Sequence, residues 1–458
     1  MNHRSAVLMA VAGLLACSGL ARADAPKLAL DPTVITAASS APQGLLMQTL
    51  DKAGMGKTLA DARLNIYGWV ESGYTYNHRE GSNDSEVIIP GPFNHEFDNH
   101  YMLNQLVLRM ERQVDTTKFD VGGMIEVMYG SDSGRLHPYG GLGFDGSDRS
   151  DNGIPDDFDS AGYSAGNVVV NNLNPIWQFE IPQAYVTINL PVGNGLQVMV
   201  GKFATILGYE SFDAINNPFY SHSYLFSAVP FTHVGALASY QLNDQLGLKL
   251  GVTRGWDMAT EDNNGCAIDV IGQVSYKFSK QVNFVFNYSV GPENAGDTGH
   301  YRVALDPILY WQVTDALKIG FEGLYVYDGG RNAGVLSDST HAYSDIWGGA
   351  LYAGYKVNDN LTVNGRLEKA HALVGTFDGY NVVDNLDLDT IPALSAYEIT
   401  LGVTVTPCPK DQYLKGLSIR PEVRYDVTDS TEYKFYPGPN DTNFKDQLTF
   451  ACDVIFAF

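Results

Sequence analysis

From Arg63 onward, apolar and polar side chains alternate in short runs. A spacing of two puts successive residues on opposite faces of a β-strand. Leu448, Phe450, Cys452, Val454, Phe456 and Phe458 share one parity, while Gln447, Thr449 and Asp453 take the other. Leu196, Val198 and Val200 alternate with Gln197, and Leu246, Leu248, Leu250 and Val252 with Gln245, Lys249 and Thr253. Leu361, Val363 and Leu367 alternate with Thr362, Asn364, Arg366 and Glu368; Ile419, Val423 and Tyr425 alternate with Arg420, Glu422, Arg424 and Asp426. Such runs recur about sixteen times, an even count as bacterial outer-membrane barrels require. They centre near residues 70, 107, 124, 185, 201, 237, 251, 272, 286, 307, 322, 350, 366, 400, 422 and 452.

The connections alternate as well. Pro191–Gly195, Asn243–Gln245, Ser279–Gln281, Thr314–Ala316 and Asn358–Asn360 are short; Asn77–Tyr101, Ser131–Ile176, Ala204–Phe231 and Ala372–Ala393 are long. Short periplasmic turns and long outer loops predict a transmembrane antiparallel β-barrel. Aromatics on the apolar parity support this reading. Tyr240, Phe278, Trp311 and Tyr355 precede short turns, and Tyr74, Tyr129, Tyr288, Tyr325 and Tyr327 precede long loops, as two interfacial girdles require. A soluble β-sandwich also alternates, but it needs a second apolar layer facing each sheet, and nearly every run here carries charges or amides on one parity. The final alternating run, ending on an aromatic, reads as the strand that closes the barrel.

The ends set the expected compartment. Ala6–Leu15 is an apolar run too short to span a bilayer, and Ala21-Arg22-Ala23 is a small-residue cleavage signal. Residues 1–23 therefore read as a signal peptide, 24–62 as a partly disordered periplasmic segment with weak helical character from Gln43 to Ala53, and 63–458 as the barrel. Leu14-Leu15-Ala16-Cys17 offers a competing lipoprotein box, in which Leu15 is an unusual choice. No later run of about 18 apolar residues exists to form a membrane helix. The formal charge of -23 excludes a nucleic-acid partner, and removing the leader deletes Arg4 and Arg22 but no acid. Cys266, Cys408 and Cys452 form no C-x-x-C pair and read as small hydrophobes.

The chain resembles the OmpL-like β-barrel porins. Tyr67-Gly68-Trp69-Val70-Glu71-Ser72-Gly73-Tyr74 and Gly201-Lys202-Phe203-Ala204-Thr205-Ile206-Leu207-Gly208-Tyr209-Glu210 carry the resemblance, with Asn217-Pro218-Phe219-Tyr220-Ser221-His222-Ser223-Tyr224 and Phe231-Thr232-His233-Val234-Gly235. It extends over essentially the whole barrel and implies an outer-membrane porin of open substrate class.

Motifs with catalytic associations read better as incidental. Gly162-Tyr163-Ser164-Ala165-Gly166 lies in a Gly- and Asp-rich loop, not at the strand–helix elbow that exposes a nucleophilic serine. Gly56-Lys57-Thr58 lacks the first phosphate-loop glycine, where Asp51 stands, and His95 and His100 are five apart instead of the four a zinc helix needs. No enzyme is expected. Among non-enzymatic functions, a sheath for an electron-transfer cytochrome needs a wider barrel, and an adhesin needs few strands and a plugged lumen. About sixteen strands leave an aqueous channel, so a passive porin for small hydrophilic solutes and ions leads. Its expected surroundings are outer-membrane lipid and a homo-oligomer, with no required cofactor.

Expected pore-lining residues are Glu71, Arg109, Glu126, Lys249, Glu322, Arg366, Arg420 and Arg424. Arg366, Arg420 and Arg424 are expected to form a basic stripe that sets a transverse field in the lumen. Asp148–Asp159 resembles a thrombospondin-type calcium repeat, with oxygen donors at Asp148, Ser150, Asn152, Asp156 and Asp159 and a glycine at Gly153, so calcium is a candidate ligand of residues 145–159. The third long loop, Ala204–Phe231, carries Ile206, Leu207, Phe212, Phe219, Tyr224, Leu225 and Phe226, a patch costly to leave in water. It is expected to fold inward and constrict the pore, with Glu210, Asp213, His222 and His233 as the polar edge facing the lumen.

Overall fold

The computed structural model describes residues 44–77, 101–138, 177–259, 267–293, 298–329, 344–372, 394–429 and 445–458. Cys266, His95, His100, the Gly162–Gly166 motif and the Asp148–Asp159 stretch with its expected calcium donors lie outside the described residues.

Each of the sixteen periodic centres falls within a strand. In chain order these are β1 (Leu64–Asn77), β2 (Tyr101–Arg112), β3 (Asp120–Gly130), β4 (Gln178–Leu190), β5 (Leu196–Ala204), β6 (Thr232–Gln241), β7 (Leu246–Thr253) and β8 (Asp269–Lys277). They continue with β9 (Val282–Gly291), β10 (Arg302–Gln312), β11 (Leu317–Asp328), β12 (Ser344–Asn358), β13 (Leu361–Ala372), β14 (Leu394–Val405), β15 (Leu417–Thr428) and β16 (Asp446–Ala457). Every strand pairs antiparallel with its sequence neighbours, and β1 pairs with β16, so the sheet closes and leaves no edge. At this seam the Phe458 amide donates to the Gly68 carbonyl at 2.8 Å and accepts in return from the Gly68 N–H at 3.1 Å.

The alternation read from the sequence becomes an inside and an outside. On β16, Phe450 and Val454 are exposed on the outer wall while Gln447, Thr449 and Asp453 are buried inside. The expected girdle aromatics Tyr74, Tyr129, Tyr325, Phe278, Trp311 and Tyr355 are all exposed. No described helix is long and apolar enough to cross a membrane; the crossings are strands. The turn from β4 to β5 shows why short connections carry glycine: Gly193 and Gly195 have φ of 59° and 94°, a region costly for side-chain-bearing residues.

The segment expected to be a partly disordered tail is ordered over residues 44–62. Two short helices, α1 (Leu45–Lys52) and α2 (Gly56–Ala62), pack at the short-turn end. Met47 and Leu59 are buried, and the Met47 sulfur accepts the Ile66 amide at 3.3 Å. Arg63, left-handed at φ 55°, turns the chain from α2 into β1, and its guanidinium pairs with Asp120 at 2.6 Å. The first helix falls within the stretch expected to have weak helical character, Gln43 to Ala53; the second, Gly56–Ala62, lies outside it. Below β14, the Asp411 carboxylate accepts the Leu414 and Tyr413 amides, and these bonds hold its pKa below the ordinary range.

Candidate functional site

After β5 the chain turns into the barrel. Residues 205–231 form a loop whose neck is closed by the Thr205 amide donating to the Phe231 carbonyl at 3.0 Å and by Asp257 accepting the Thr232 amide at 2.7 Å. An irregular segment inside a barrel has backbone donors and acceptors that no neighbouring strand satisfies, and leaving them unpaired away from water is costly. The wall supplies partners from its side chains.

Carboxylates take the loop amides. Asp306 on β10 accepts from Gly208 at 2.7 Å, and Glu322 on β11 from Tyr209 at 3.1 Å. Glu422 on β15 accepts from Tyr220 at 2.8 Å, while both oxygens of Glu368 on β13 accept from Tyr224 and Leu225, each at 2.8 Å. Arginines take the carbonyls. Arg366 donates to Ser221 O at 2.9 Å, Arg420 to Ala214 O at 3.0 Å and Asn217 O at 2.6 Å, and Arg424 to His222 O. One helical turn, α3 (Tyr224–Ser227), is capped by the Ser223 hydroxyl accepting the Phe226 amide at 3.1 Å.

Ion pairs complete the clamp. Arg366 bridges Glu210 of the loop at 2.7 Å and Glu398 of β14 at 3.0 Å. Arg420 binds Asp453 and, at 3.1 Å, Glu71; Arg424 binds Asp426 at 2.8 Å. Three strands farther round, on β2, Arg109 joins Asp213 of the loop at 2.9 Å to Glu126, which also accepts from Gln183 at 3.1 Å, and its guanidinium lies 5.1 Å from the Trp69 ring centre. These arginines match carboxylate pairs and carbonyls at once because a guanidinium is a planar fork of five donors.

The apolar side chains of the loop enter two sockets, one lined by alanines and one by larger apolar side chains. Leu207, Tyr224, Leu225 and Val229 pack with Ala304, Ala350, Ala370 and Ala396; Phe212 and Phe226 pack with Trp69, Val107, Met128 and Ile455. A β-carbon at Gly348 would stand 2.6 Å from Leu225 Cδ2, and at Gly73 or Gly320 it would enter the ring of Tyr220 or Tyr209. Gly348→Val is therefore expected to unseat the loop, lowering the urea midpoint by the equivalent of about 1–3 kcal/mol, the usual cost of overpacking. An unchanged midpoint together with unchanged channel noise would show that Gly348 is not a socket.

The expected wall residues Glu71, Arg109, Glu126, Glu322, Arg366, Arg420 and Arg424 all point inward, and Lys249 does so from β7, half-buried. The basic stripe, however, is not a free field in the lumen. Arg366 and Arg424 are each 1% exposed, and their charges are matched by carboxylates and covered by the loop. The polar edge is likewise corrected: Glu210, Asp213 and His222 are buried against the wall, and His222 stacks on Phe226 with ring centres 4.0 Å apart. His233 is the second residue of β6, not a loop residue, and binds the Thr205 hydroxyl at 3.1 Å and Gly255 O at 3.2 Å. Parity placed these residues inside but could not show that the loop would consume their hydrogen-bonding capacity. Asp306, Glu398, Asp426 and Asp453, the partners that sequence reading did not single out, sit on the same inward parity, which was their available signal.

Away from the clamp, the wall fills inward too. Phe203, Leu237 and Ile271 form an apolar cluster joined by Ile206 from the loop, and Gln273 and Asn287 bond each other at 2.7 Å. Most of the inward side chains at this level are out of contact with water.

Solved structures of outer-membrane proteins share this barrel fold at low sequence identity. The anion-selective porin from Comamonas acidovorans superposes with a TM-score of 0.50 at 12% identity, covering 86% of this chain and 99% of that one. The outer membrane channel DcaP of Acinetobacter baumannii gives 0.49 at 14%, covering 86% and 97%, and the trimer form of OmpT, an outer membrane protein of Vibrio cholerae, gives 0.47 at 10%, covering 86% and 99%. No curated protein sequence matches the chain. A family model described as "Putative beta-barrel porin-2, OmpL-like" matches residues 63–458, and with its closed sixteen-strand barrel the chain belongs to that family, the outer-membrane β-barrel porins of OmpL-like type.

Proposed function

We propose that this porin is a narrow passive channel for small hydrophilic solutes and ions, conducting and not catalytic, whose throat is set by residues 205–231. The observation that carries this reading is the loop seated across the lumen by wall carboxylates on its amides and wall arginines on its carbonyls. A sixteen-strand barrel without such an insert encloses a wide aqueous channel. The same insert argues against a sheath for a cytochrome, because it occupies the space a threaded partner would need.

Reconstitution of the full chain in planar bilayers under a salt gradient tests this. Discrete conductance steps well below those of an open barrel are expected, with larger neutral sugars excluded in vesicle swelling. Folded protein that gives no steps would overturn the channel reading. A homo-oligomer is also part of the proposal, and the mass of the solubilised complex reports its copy number.

A further inference from the structure

The outer wall of β11 to β14 has a gap near the long-loop end. Three rows of outward residues run across these strands in register. The row nearest the membrane centre is Phe321, Leu351, Leu367 and Ile399; above it come Gly323, Gly349, Lys369 and Tyr397; above that, Tyr325, Trp347 and His371. A groove of about 540 Å³ opens over Gly349, floored by sheet backbone, walled by Phe321, Leu351, Leu367 and Ile399 and reaching Tyr425 and Val427 on β15. Neither glycine is there for the fold. Neither has a left-handed φ, and a β-carbon at Gly323 or Gly349 would meet nothing closer than 3.5 Å.

Lys369 stands at the upper end of this groove on the outward parity, between inward-facing Glu368 and Ala370. Its ammonium lies 5.0 Å from the Trp347 ring centre and 5.4 Å from that of Tyr397, and among the described residues it has no carboxylate partner. A lysine on a lipid-facing wall is costly at the midplane and tolerated only toward the interface, where its charge can reach an anion or water. Two aromatic faces hold this one in place at the girdle. A cation at the interface above an apolar groove is complementary to an amphiphile with an anionic head and a hydrocarbon tail.

We propose that this groove binds a lipid of the outer leaflet whose phosphate headgroup carries a net negative charge. Its anionic group would rest at Lys369, and an acyl chain would fill the gap over Gly349 against Phe321 and Leu351. A second copy of the chain fits less well, because a protein partner would need to bring an unpaired acid into the lipid-facing girdle.

The test uses the detergent-solubilised full chain and monophosphoryl lipid A, with phosphatidylcholine as the zwitterionic control, read by native mass spectrometry. Wild type is expected to retain one molecule of monophosphoryl lipid A in preference to phosphatidylcholine. Lys369→Gln should weaken that adduct about fivefold, the scale of one lysine at an anionic membrane surface. Lys369→Arg should restore it, and Gly349→Leu should weaken it with the charge intact, because the side chain fills the groove. Heat-modifiable electrophoretic mobility confirms that each variant is folded. Equal retention of both lipids by wild type, or equal lipid A retention by wild type and Lys369→Gln, would overturn the proposal. So would a change of oligomer mass in Gly349→Leu without loss of lipid, which would assign the groove to a second copy.

Discussion

Replacing residues 211–226 by a short Gly-Ser linker is expected to raise single-channel conductance severalfold and to admit larger neutral solutes. The excision is geometrically feasible because the two arms of the loop run side by side: a β-carbon at Gly208 would lie 3.6 Å from Val229 Cγ2. It removes Tyr220, Tyr224, Leu225 and Phe226, whose side chains fill the waist, and leaves the strands untouched. The wall exposed behind Tyr224 and Leu225 is made of alanines, glycines and charged groups and tolerates water, while Trp69, Val107, Met128 and Ile455 behind Phe212 and Phe226 become a small apolar patch. Selectivity should shift as well. The excision uncovers Arg109, Arg366, Arg420 and Arg424, but also Glu71, Glu126, Glu368, Glu398, Glu422, Asp426 and Asp453, and the excess of acids favours cations. The reversal potential in a salt gradient should move toward cation preference relative to wild type. Unchanged conductance from a correctly folded deletion variant would remove this loop from the permeation path.

The barrel was legible in the sequence because a membrane wall imposes the same period-two rule on every strand, and no strand is exempt. Strand centres, the inward parity of Arg366, Arg420 and Arg424, and the inward fold of the third long loop all follow from that rule and from the cost of exposing Phe212, Phe226 and their neighbours. What escaped was pairing. Arg420 could face water, Asp453 or the loop on parity alone; only the register of β15 against β16, which sets Arg420 directly opposite Asp453, decides. The stripe reading did not foresee that Arg366 and Arg420 face carboxylates on the next strand and that Arg424 pairs with Asp426 two residues along its own. Gly73, Gly320 and Gly348 escaped too, because a small residue on an inward parity signals a socket only when the incoming side chain is known.

Arg420→Met should be the most destabilising single substitution in the clamp. In the folded protein Arg420 is 3% exposed and makes two contacts with Asp453 through Nε, at 3.0 and 3.1 Å, besides those to Glu71, Ala214 O and Asn217 O. Methionine fills similar volume, so little cavity forms; the cost comes from Glu71 and Asp453, both 0% exposed, left without their cation, and Glu71 Oε2 already lacks a partner. Breaking a buried pair from one side costs about 3–5 kcal/mol, whereas neutralising all its members costs far less. The triple variant Arg420→Met, Glu71→Gln, Asp453→Asn should therefore recover most of the loss while the loop keeps its other anchors at Arg366, Glu368 and Glu422. Urea unfolding from lipid vesicles separates the two effects. If Arg420→Met unfolds within about 1 kcal/mol of wild type, the range of an exposed pair, then water reaches this cluster and the clamp is weaker than its geometry implies.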